Sequence, residues 1–321
     1  MKKILALLLA LVMVFAMAAC GGGDSDTGSG GDAAKNESYT VYLITMDQID
    51  AHWQKVNTGC KKAVDELAKD GITVNYTWLA PEVKSNSDQI EQIGMAVSAQ
   101  ADVILLAAND ATACNDAIQS ALDSGVKVIY VDSPAELAAS ATFSTDNEAA
   151  GKQAGEILLK ALKDDGVTSG NIGIVGVLAS TDSCVKRENG FRSVFEGTDF
   201  TLGETQYMEG DTTKSQEAAA NMINNGCIAL YGVNEGSSIG VGNAVMDASS
   251  KVYAVGFDAS SSVCDQISNG HLIAAMAQNP NTMGYEGIKA AVKVAQGTDL
   301  GGKVTDTGVT AVTKDNVADF K

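Results

Sequence analysis

Short β-rich segments alternate with amphipathic helical segments along most of the chain, and this alternation constrains the fold more than any other feature. Nine strands are predicted, at 40–45, 73–78, 103–107, 126–131, 171–177, 205–208, 227–231, 252–257 and 272–277. Apolar residues at helical spacing predict helices at 53–67, 87–97, 113–122, 149–162, 214–223, 239–246 and 282–295. Such alternation is typical of doubly wound parallel α/β structure. Nine strands are many for one sheet of this kind, so we predict two lobes, the second beginning near Asp146.

The residues within the strand candidates indicate how deeply the predicted sheets are buried. The run Val103–Leu106 is apolar throughout. An uninterrupted apolar strand suits a parallel sheet that helices cover on both faces. In open sheets of this class, ligands bind beyond the carboxyl ends of the strands. The segments that follow the strand candidates are rich in polar side chains, but they contain no nucleophile–base pair.

The N-terminus has the pattern of an export signal. Lys2 and Lys3 precede an apolar stretch over 4–19, and Cys20 follows two alanines. The stretch is too short for an ordinary membrane-spanning helix. The pattern resembles a bacterial lipobox, in which the signal is cut before the cysteine and the thiol receives a diacylglyceryl group. The alternative is an ordinary secreted protein in which Cys20 has no such role.

We therefore predict a signal peptide over 1–19, followed by a lipidated Cys20 and a flexible leash over 20–38. The leash consists mainly of Gly, Ser, Asp and Thr, and such a segment buries too little apolar surface to fold. The folded part is predicted to begin near Tyr39. Two acyl chains anchor a protein stably, so we expect a membrane lipoprotein on the extracytoplasmic face.

Charge and cysteine usage exclude several classes of function. The net charge of −18 argues against nucleic-acid binding, which needs basic patches. The remaining cysteines are odd in number, widely spaced and without a CxxC pair, so neither a disulfide framework nor a zinc site is indicated. We interpret them as small buried apolar residues. The two histidines, His52 and His271, share no helix face, and we expect no metal and no cofactor.

Six segments, in this order and spacing, match motifs of one known group. They are 128–132 (VIYVD), 144–151 (STDNEAAG), 186–191 (KRENGF), 231–235 (YGVNE), 255–258 (VGFD) and 275–280 (AMAQNP). Together they resemble the type I periplasmic sugar-binding proteins, the ribose-binding-like group that delivers solutes to ABC importers. The resemblance extends from about Tyr39 to Lys321.

The resemblance implies two Rossmann-like lobes joined by a three-crossover hinge, with the ligand in the cleft between them. The chain would cross near Asp146, return near Asn279 and cross again near Val309. The N-terminal lobe would comprise 39–145 and 279–308, and the C-terminal lobe 146–278 and 309–321. It also implies a monomeric binding protein rather than an enzyme, whose partners are a monosaccharide-like solute, an ABC permease and its ATPase.

The resemblance, carried onto matching positions, indicates which side chains bind the ligand. Carboxylates can accept from sugar hydroxyls and a guanidinium can donate in a fork, in charge-assisted bonds stronger than neutral ones. Side-chain amides both donate and accept, and an indole ring can cover a C–H face of a sugar. The predicted ligand-binding residues are Asp132, Arg187, Asn234, Asp258, Gln278, Trp53, Asp50 and His52.

Some of these residues have a structural alternative. Asp132 and Asp258 would cap the helices that follow them, whereas Arg187 would be a surface residue or an ion-pair partner. In the same alternative, Trp53 would be a core residue and would not contact the ligand. Outside this set, Trp78 is interpreted as a packing residue, and Glu235 as the beginning of a helix.

Departures from the ribose-binding pattern bear on the ligand. The group has two adjacent phenylalanines where this chain has His52 and Trp53, and asparagine in place of Asp50. It also has arginine where Ser133 stands, and a further phenylalanine near Gly210 is replaced. The expected cleft is less aromatic and more acidic than a ribose site. Another aldose, a ketose, an inositol, a sugar-like signal molecule or an amino-bearing ligand remain open.

Three other classes of function compete with a solute receptor: an enzyme, a sensory protein and a transcription repressor. An extracytoplasmic α/β enzyme lacks support, because the chain has no G-x-S-x-G, H-E-x-x-H, P-loop or dinucleotide motif in the required context. A sensory protein that does not transport needs the same cleft, so the sequence does not distinguish it from a transport receptor. The sequence also leaves open a receptor for a nucleoside or another small polar solute. A transcription repressor would need a DNA-binding helix pair where this chain has a signal and a leash.

Overall fold

A computed structural model describes residues 37–321. The predicted signal peptide, Cys20 and nearly all of the leash lie outside the described residues. The first strand begins at Glu37, so the prediction that the leash extends to residue 38 is wrong at its end. Glu37 and Ser38 pair with Ile72 and Thr73 of the next strand. The strand pairing is made by backbone hydrogen bonds, so the polar side chains of Glu37 and Ser38 do not prevent the strand from beginning there.

The described chain contains the following strands, in two sheets. They are β1 (Glu37–Ile44), β2 (Ile72–Leu79), β3 (Val103–Leu106), β4 (Lys127–Val131), β5 (Ala141–Ser144), β6 (Ser169–Gly176), β7 (Asp199–Leu202), β8 (Gln206–Tyr207), β9 (Cys227–Gly232), β10 (Tyr253–Phe257), β11 (Ala274–Gln278), β12 (Lys303–Asp306) and β13 (Val309–Thr313). The first sheet has the order β12-β5-β4-β3-β1-β2, and all its pairs are parallel. The second has the order β13-β11-β10-β9-β6-β7, with β8 also on β6, and only β13 is antiparallel.

Helices cover the faces of both sheets. They are α1 (Ala51–Lys69), α2 (Asn86–Ser98), α3 (Asn115–Asp123), α4 (Asn147–Asp164), α5 (Asp182–Ser193), α6 (Thr212–Asn224), α7 (Glu235–Asp247), α8 (Ser261–Asn269) and α9 (Pro280–Ala295), and a 3₁₀ helix spans Val317–Phe320. We call the first sheet with α1–α3 and α9 lobe 1, and the second sheet with α4–α8 lobe 2. Within residues 37–321, no helix combines the length and apolar character needed to cross a membrane.

Three segments carry the chain between the two sheets, and hydrogen bonds link them to one another. They follow β5, β11 and β12. The hydroxyl of Thr145 donates to Gln278 Oε1 (2.9 Å), and Asn279 Nδ2 donates to the carbonyl oxygen of Thr307 (2.7 Å). The backbone N–H of Asp146 donates to Asp306 Oδ1 (3.0 Å). The three connections are therefore adjacent, which is the arrangement of a hinge.

Each sheet is buried on both faces. In β3, Val103 and Leu105 belong to the apolar cluster under α1 and α9, whereas Ile104 and Leu106 belong to the cluster under α2 and α3. The prediction from the apolar run is thus confirmed. All five cysteines of the described chain are free thiols, and all are buried except Cys227, which is partly exposed.

Glycines allow one close helix pair in each lobe. In lobe 2, a Cβ at Gly151 of α4 would overlap the carbonyl oxygen of Arg187 on α5, and a Cβ at Gly190 would overlap that of Glu148. In lobe 1, Gly59 of α1 and Gly284 of α9 approach each other's helix backbones in the same way. These contacts fix the helices that place His52, Trp53 and Arg187 at the cleft.

Replacing Gly151 by Ala should destabilise the fold, because the added methyl group would overlap the backbone of α5. Overpacking of this kind lowers the free energy of unfolding by about 1–3 kcal/mol, which urea denaturation can measure. The matched control is Gly94→Ala inside α2, where an added Cβ meets nothing within 4 Å. That change should stabilise by about 0.5–1 kcal/mol. Equal stability of the two variants would contradict the close packing of α4 and α5.

Candidate functional site

The carboxyl ends of the two sheets face a common cavity between the lobes. Its lining comes from segments that follow strands in both lobes and from the first turns of α1 and α5. The lining residues are Met46, Asp50, His52, Trp53, Lys84, Asp132, Val177, Ser183, Cys184, Arg187, Asn234, Asp258 and Gln278. All eight residues predicted from the sequence to bind the ligand are among them.

Asp132 and Asp258 occupy equivalent positions in the two lobes. Each directly follows a central strand, β4 or β10, and each has a left-handed backbone with φ of 66° and 69° respectively. Each donates its backbone N–H to the neighbouring strand, at Phe143 and Met276 (both 2.9 Å). A left-handed conformation is uncommon for a residue other than glycine, and such positions concentrate at functional sites.

The alternative that these aspartates cap helices is wrong. The helix after Asp258 is α8, and Ser260 caps it by accepting from the N–H of Val263. The first helix after Asp132 is α4, which Asp146 caps. The carboxylates of Asp132 and Asp258 are therefore available to the cavity.

His52 links the two aspartates across the cleft. Its Nε2 lies 2.6 Å from Asp132 Oδ2, and its Nδ1 lies 3.5 Å from Asp258 Oδ1. Burial alone would lower the pKa of His52, but the charge of Asp132 and the contacts with both carboxylates outweigh it and raise the pKa to about 10. Burial alone would raise the pKa of Asp258, yet the contact with His52 lowers it to about 2. His52 is thus an imidazolium between two carboxylates at neutral pH.

Arg187 is buried beneath the cavity rather than exposed on the surface, so the surface alternative is wrong. It is 3% exposed, and its guanidinium carbon lies 3.9 Å from the centre of the Phe257 ring. Its Nε donates to Asn147 Oδ1 (2.7 Å) and its Nη1 to the carbonyl oxygen of Val233 (3.1 Å). Nη2 lies 3.7 Å from Asp132 Oδ1. The guanidinium is therefore fixed by lobe 2, with one nitrogen directed toward a carboxylate of lobe 1.

Several buried polar atoms of cavity-lining residues have no hydrogen-bond partner within residues 37–321. They are His52 Nε2, which touches Asp132 without hydrogen-bond alignment, together with Trp53 Nε1, Asp132 Oδ1 and Arg187 Nη2. Buried polar groups are almost always satisfied, and each exception costs about 1–3 kcal/mol. Apart from His52 Nε2, which lies beside Asp132, two nitrogen donors and one oxygen acceptor belong to residues that line the cavity. They suit a compound with several hydroxyl groups, since each hydroxyl both donates and accepts.

The two amides contribute differently. Asn234 caps α7, because its Oδ1 accepts from the N–H of Ser237 (3.0 Å). Its Nδ2 donates to none of the described residues. The amide of Gln278 is occupied on both sides, donating to Asp258 Oδ1 (2.8 Å) and accepting from Thr145. Gln278 therefore orients Asp258 from the hinge.

The position of Trp53 is consistent both with ligand contact and with a role in the core, whereas Trp78 is a packing residue. Trp53 is 4% exposed and packs in the core of lobe 1, but it also lines the cavity, with its ring edge-to-face against His52 at 4.7 Å. Trp78 donates from Nε1 to the hydroxyl of Thr45 (2.9 Å), packs against the core and does not line the cavity, as predicted. Glu235 begins α7, as predicted.

Lys84 is the functional residue that sequence reasoning missed. Its ammonium lies 2.6 Å from Asp47 Oδ2 and 2.9 Å from Asp50 Oδ2. Burial alone would lower the pKa of Lys84, but the two carboxylates raise it. Lys84 follows β2, so the rule that polar residues after strands line the site would have found it. Nothing in the sequence indicates its pairing with Asp47 and Asp50.

The cleft is closed in this structure. The cavity measures about 30 Å³, which is room for about one water molecule and less than a monosaccharide needs. Direct contacts hold the lobes together: the N–H of Ala111 donates to Ser180 O (2.9 Å), and the hydroxyl of Thr181 to Asn109 O (2.7 Å). Lys55 donates to Ala259 O (3.1 Å). Entry of a ligand therefore requires the lobes to separate.

Because His52 lies between two carboxylates, it should remain protonated at pH 8. The histidine NMR signals of a His271→Gln variant report on His52 alone, since the chain has only these two histidines. The folded pKa of about 10 exceeds the unfolded value, which is about 6.5. The stability that the charge provides is therefore complete below pH about 6.5, and it is lost as the pH rises through about 10. A neutral imidazole at pH 7.5 would contradict this pairing. As the pH is raised into the alkaline range, the free energy of unfolding should fall less in a His52→Gln variant than in the wild type.

The comparisons with known proteins agree with this geometry. Residues 41–299 match the family described as "Periplasmic binding protein domain". The ribose import binding protein RbsB of Haemophilus influenzae is 24% identical over 307 residues, which cover 95% of this chain and 97% of that protein. A carbohydrate transporter solute binding protein from Agrobacterium radiobacter, solved with D-arabinose, aligns with a TM-score of 0.80 and 27% identity over 88% of this chain and 96% of its own.

A second solved structure resembles the chain in fold alone. It is an ABC transporter solute binding protein from Agrobacterium vitis bound with α-D-tagatopyranose, with a TM-score of 0.80 at 24% identity over 88% of this chain and 98% of its own.

Two α/β lobes with parallel sheets, whose carboxyl ends meet at a cleft, confirm the predicted fold class. The matched family consists of extracytoplasmic binding proteins and not of enzymes, which removes the enzymatic alternative. The match covers most of the chain, and the cleft holds the polar groups that a solute requires. The chain belongs to the periplasmic binding protein family.

Proposed function

We propose that this chain is an extracytoplasmic solute-binding lipoprotein that captures a monosaccharide-like ligand between its lobes and delivers it to an ABC importer. The observation that carries the proposal is the set of buried polar atoms of Asp132, Arg187 and Trp53 that lack a hydrogen-bond partner among the described residues. They come from both lobes, so a ligand that satisfied them would also join the lobes.

The chemistry of the cleft suits a sugar. Asp132 and Asp258 can each accept hydrogen bonds from neighbouring hydroxyls, and Arg187 Nη2 and Asn234 Nδ2 can donate. The indole of Trp53 offers both an N–H donor and an apolar face for ring C–H groups. Contacts within each lobe hold Asp132 against His52 and Arg187 against Asn147, so these groups need little ordering on binding.

Several similar proteins are named for sugars. RbsB of H. influenzae is named for ribose import, and the A. radiobacter structure contains D-arabinose. This chain has His52 and Trp53, Asp50, Ser133 and Gly210 at positions where the ribose-binding pattern differs. We therefore assign the class of monosaccharide-like solutes and not ribose itself.

The hinge supports a role in delivery. In this proposal, 39–145 with 279–308 and 146–278 with 309–321 are the bodies that separate and close. Separation would break the contacts of Ser180 and Thr181 with lobe 1 and expose the cleft. A permease that recognises only the closed form would then accept only loaded receptors.

A panel of monosaccharides, polyols and nucleosides should identify the ligand class by thermal shift of the protein produced from Gly21. A ligand at a hundred times its dissociation constant adds about 2.7 kcal/mol of stability. Asp132→Asn and Arg187→Ala should each weaken binding by about ten- to a hundredfold, since each removes a charge-assisted hydrogen bond. Lys186→Ala should leave binding unchanged, because Lys186 lies on the same helix but is half-exposed and forms an ion pair with Asp182. A response to nucleosides alone would overturn the sugar assignment.

Cys20 should be required for membrane attachment. The full-length protein expressed in a bacterium should fractionate with membranes and incorporate labelled fatty acid. Cys20→Ala should do neither, because the lipobox thiol is the proposed acceptor of the lipid. Fatty-acid labelling that persists in Cys20→Ala would rule out this anchor, and an unlabelled wild type would indicate an ordinary secreted protein.

A further inference from the structure

The charges around the cleft do not balance. At one end, the carboxylates of Asp132 and Asp258 are offset by His52 and Arg187. At the other end, a single ammonium, that of Lys84, is shared by Asp47 and Asp50. Glu235, directly after the cavity residue Asn234, forms no ion pair within residues 37–321. The groups around the cleft therefore carry more negative than positive charge.

Contacts across the cleft bring Lys84 of lobe 1 close to the start of α7 in lobe 2. Lys84 belongs to lobe 1 and contacts Asp50. A Cβ added at Gly210 of lobe 2 would lie 3.3 Å from Lys84 Nζ and 2.9 Å from Asn234 Nδ2. Gly210 thus touches both the lysine that contacts Asp50 and the residue before Glu235. A Cβ added at Gly236, the residue after Glu235, would overlap the carbonyl oxygen of Gly210, so the first turn of α7 packs against Gly210. Asp50 and Glu235 therefore belong to segments of opposite lobes that meet near Gly210.

The pKa values of both carboxyl groups are raised, chiefly by burial. Burial raises the pKa of Glu235, and the charges of Asp258 and Asp50 raise it further, to about 7, although His52 and the hydroxyl of Ser260 oppose the change. Burial also raises the pKa of Asp50, and this effect exceeds the opposing charge of Lys84, while Asp47 and Asp258 make smaller contributions that raise it further. Glu235 is 8% exposed, so water offers it little compensation. A buried carboxylate without a cationic partner is unfavourable.

We infer that the ligand carries a protonated amino group, which binds between Asp50 and Glu235 while the hydroxyl groups of the ligand contact Asp132, Asp258 and Arg187. This inference rests on the proposed function and narrows the solute to an amino-bearing sugar or polyol. The ammonium would supply the missing positive charge. It would also join a carboxylate of lobe 1 to one of lobe 2, so that binding of the amine favours the closed form.

The second oxygen of Asp50 is placed for this role. Only its Oδ2 contacts Lys84, and Oδ1 has no hydrogen-bond partner among the described residues. Asp50 lines the cavity directly. Both carboxylate oxygens of Asp47 already have partners, because its Oδ1 accepts from the N–H groups of Ile49 and Asp50 and its Oδ2 contacts Lys84. Asp50 is thus the direct acceptor, and Glu235 adds charge from the other lobe.

Isothermal titration calorimetry with matched pairs tests the inference. The probes are glucosamine, galactosamine and mannosamine, each compared with its parent hexose and its N-acetyl derivative, plus ethanolamine as an amine without a sugar ring. At least one amine should bind about tenfold or more tightly than both of its neutral partners, which is the effect of one added charge-assisted contact. Asp50→Asn and Glu235→Gln should each remove this preference.

The control variant is Glu82→Gln, which removes the same charge from an exposed residue near Lys84 and should keep the preference. Affinity for the amine should rise from acidic to neutral pH in the wild type, because Glu235 ionises as the pH approaches about 7, and this rise should be absent in Glu235→Gln. Urea denaturation should show Glu235→Gln to be at least as stable as the wild type above neutral pH, so that lost binding is not lost folding.

The outcomes separate this inference from the proposed function. A neutral sugar that binds as tightly as its amine overturns the inference and leaves a sugar receptor. Binding of ethanolamine but of no sugar overturns the proposed function and retains an amine site. Silence across these probes overturns the inference, and the panel of monosaccharides, polyols and nucleosides described above then decides whether the chain is a sugar receptor.

Discussion

The cleft depends on two carboxylates buried between the lobes. Asp132 and Asp258 would each cost several kcal/mol if they were buried without a partner. Their partners come from both sides: His52 of lobe 1 contacts both aspartates, and Arg187 of lobe 2 approaches Asp132. Separating the lobes breaks the cross-lobe pairs while water solvates the freed charges. The closed state therefore owes part of its stability to charge pairs that a ligand can reinforce.

The backbone brings these charges to the cleft by the same device in each lobe. A central parallel strand ends in an aspartate with a left-handed backbone, and the next strand accepts its N–H group. A pair of helices then packs backbone to backbone through glycines, α1 with α9 and α4 with α5. Because Arg187 lies at the contact point of α4 and α5, the position of its guanidinium depends on the absence of a side chain at Gly151.

Local patterns predicted the elements that have strong periodicity of their own and missed the rest. Strands with long apolar runs, such as β3, were found. The missed strands β5, β7, β12 and β13 have four or five residues each, and most contain polar positions. Helix α5 was missed because its buried face consists of Ser183, Cys184, Arg187, Gly190 and Phe191, a face too polar for a hydrophobic pattern. The missed helix α8 has only nine residues.

The sequence by itself determined the two-lobed parallel architecture, because strand and helix periodicity follow from order along the chain, and its resemblance to the sugar-binding group indicated eight of the residues that line the cleft. Alternating apolar segments specify strands and helices, and parallel strands bring the residues after them to one edge. Only the tertiary structure decided how those residues pair. His52, Asp132 and Asp258 are far apart in the chain, and so are Asp50 and Glu235. Their charge states depend on burial and on neighbours contributed by the opposite lobe, which no local pattern encodes.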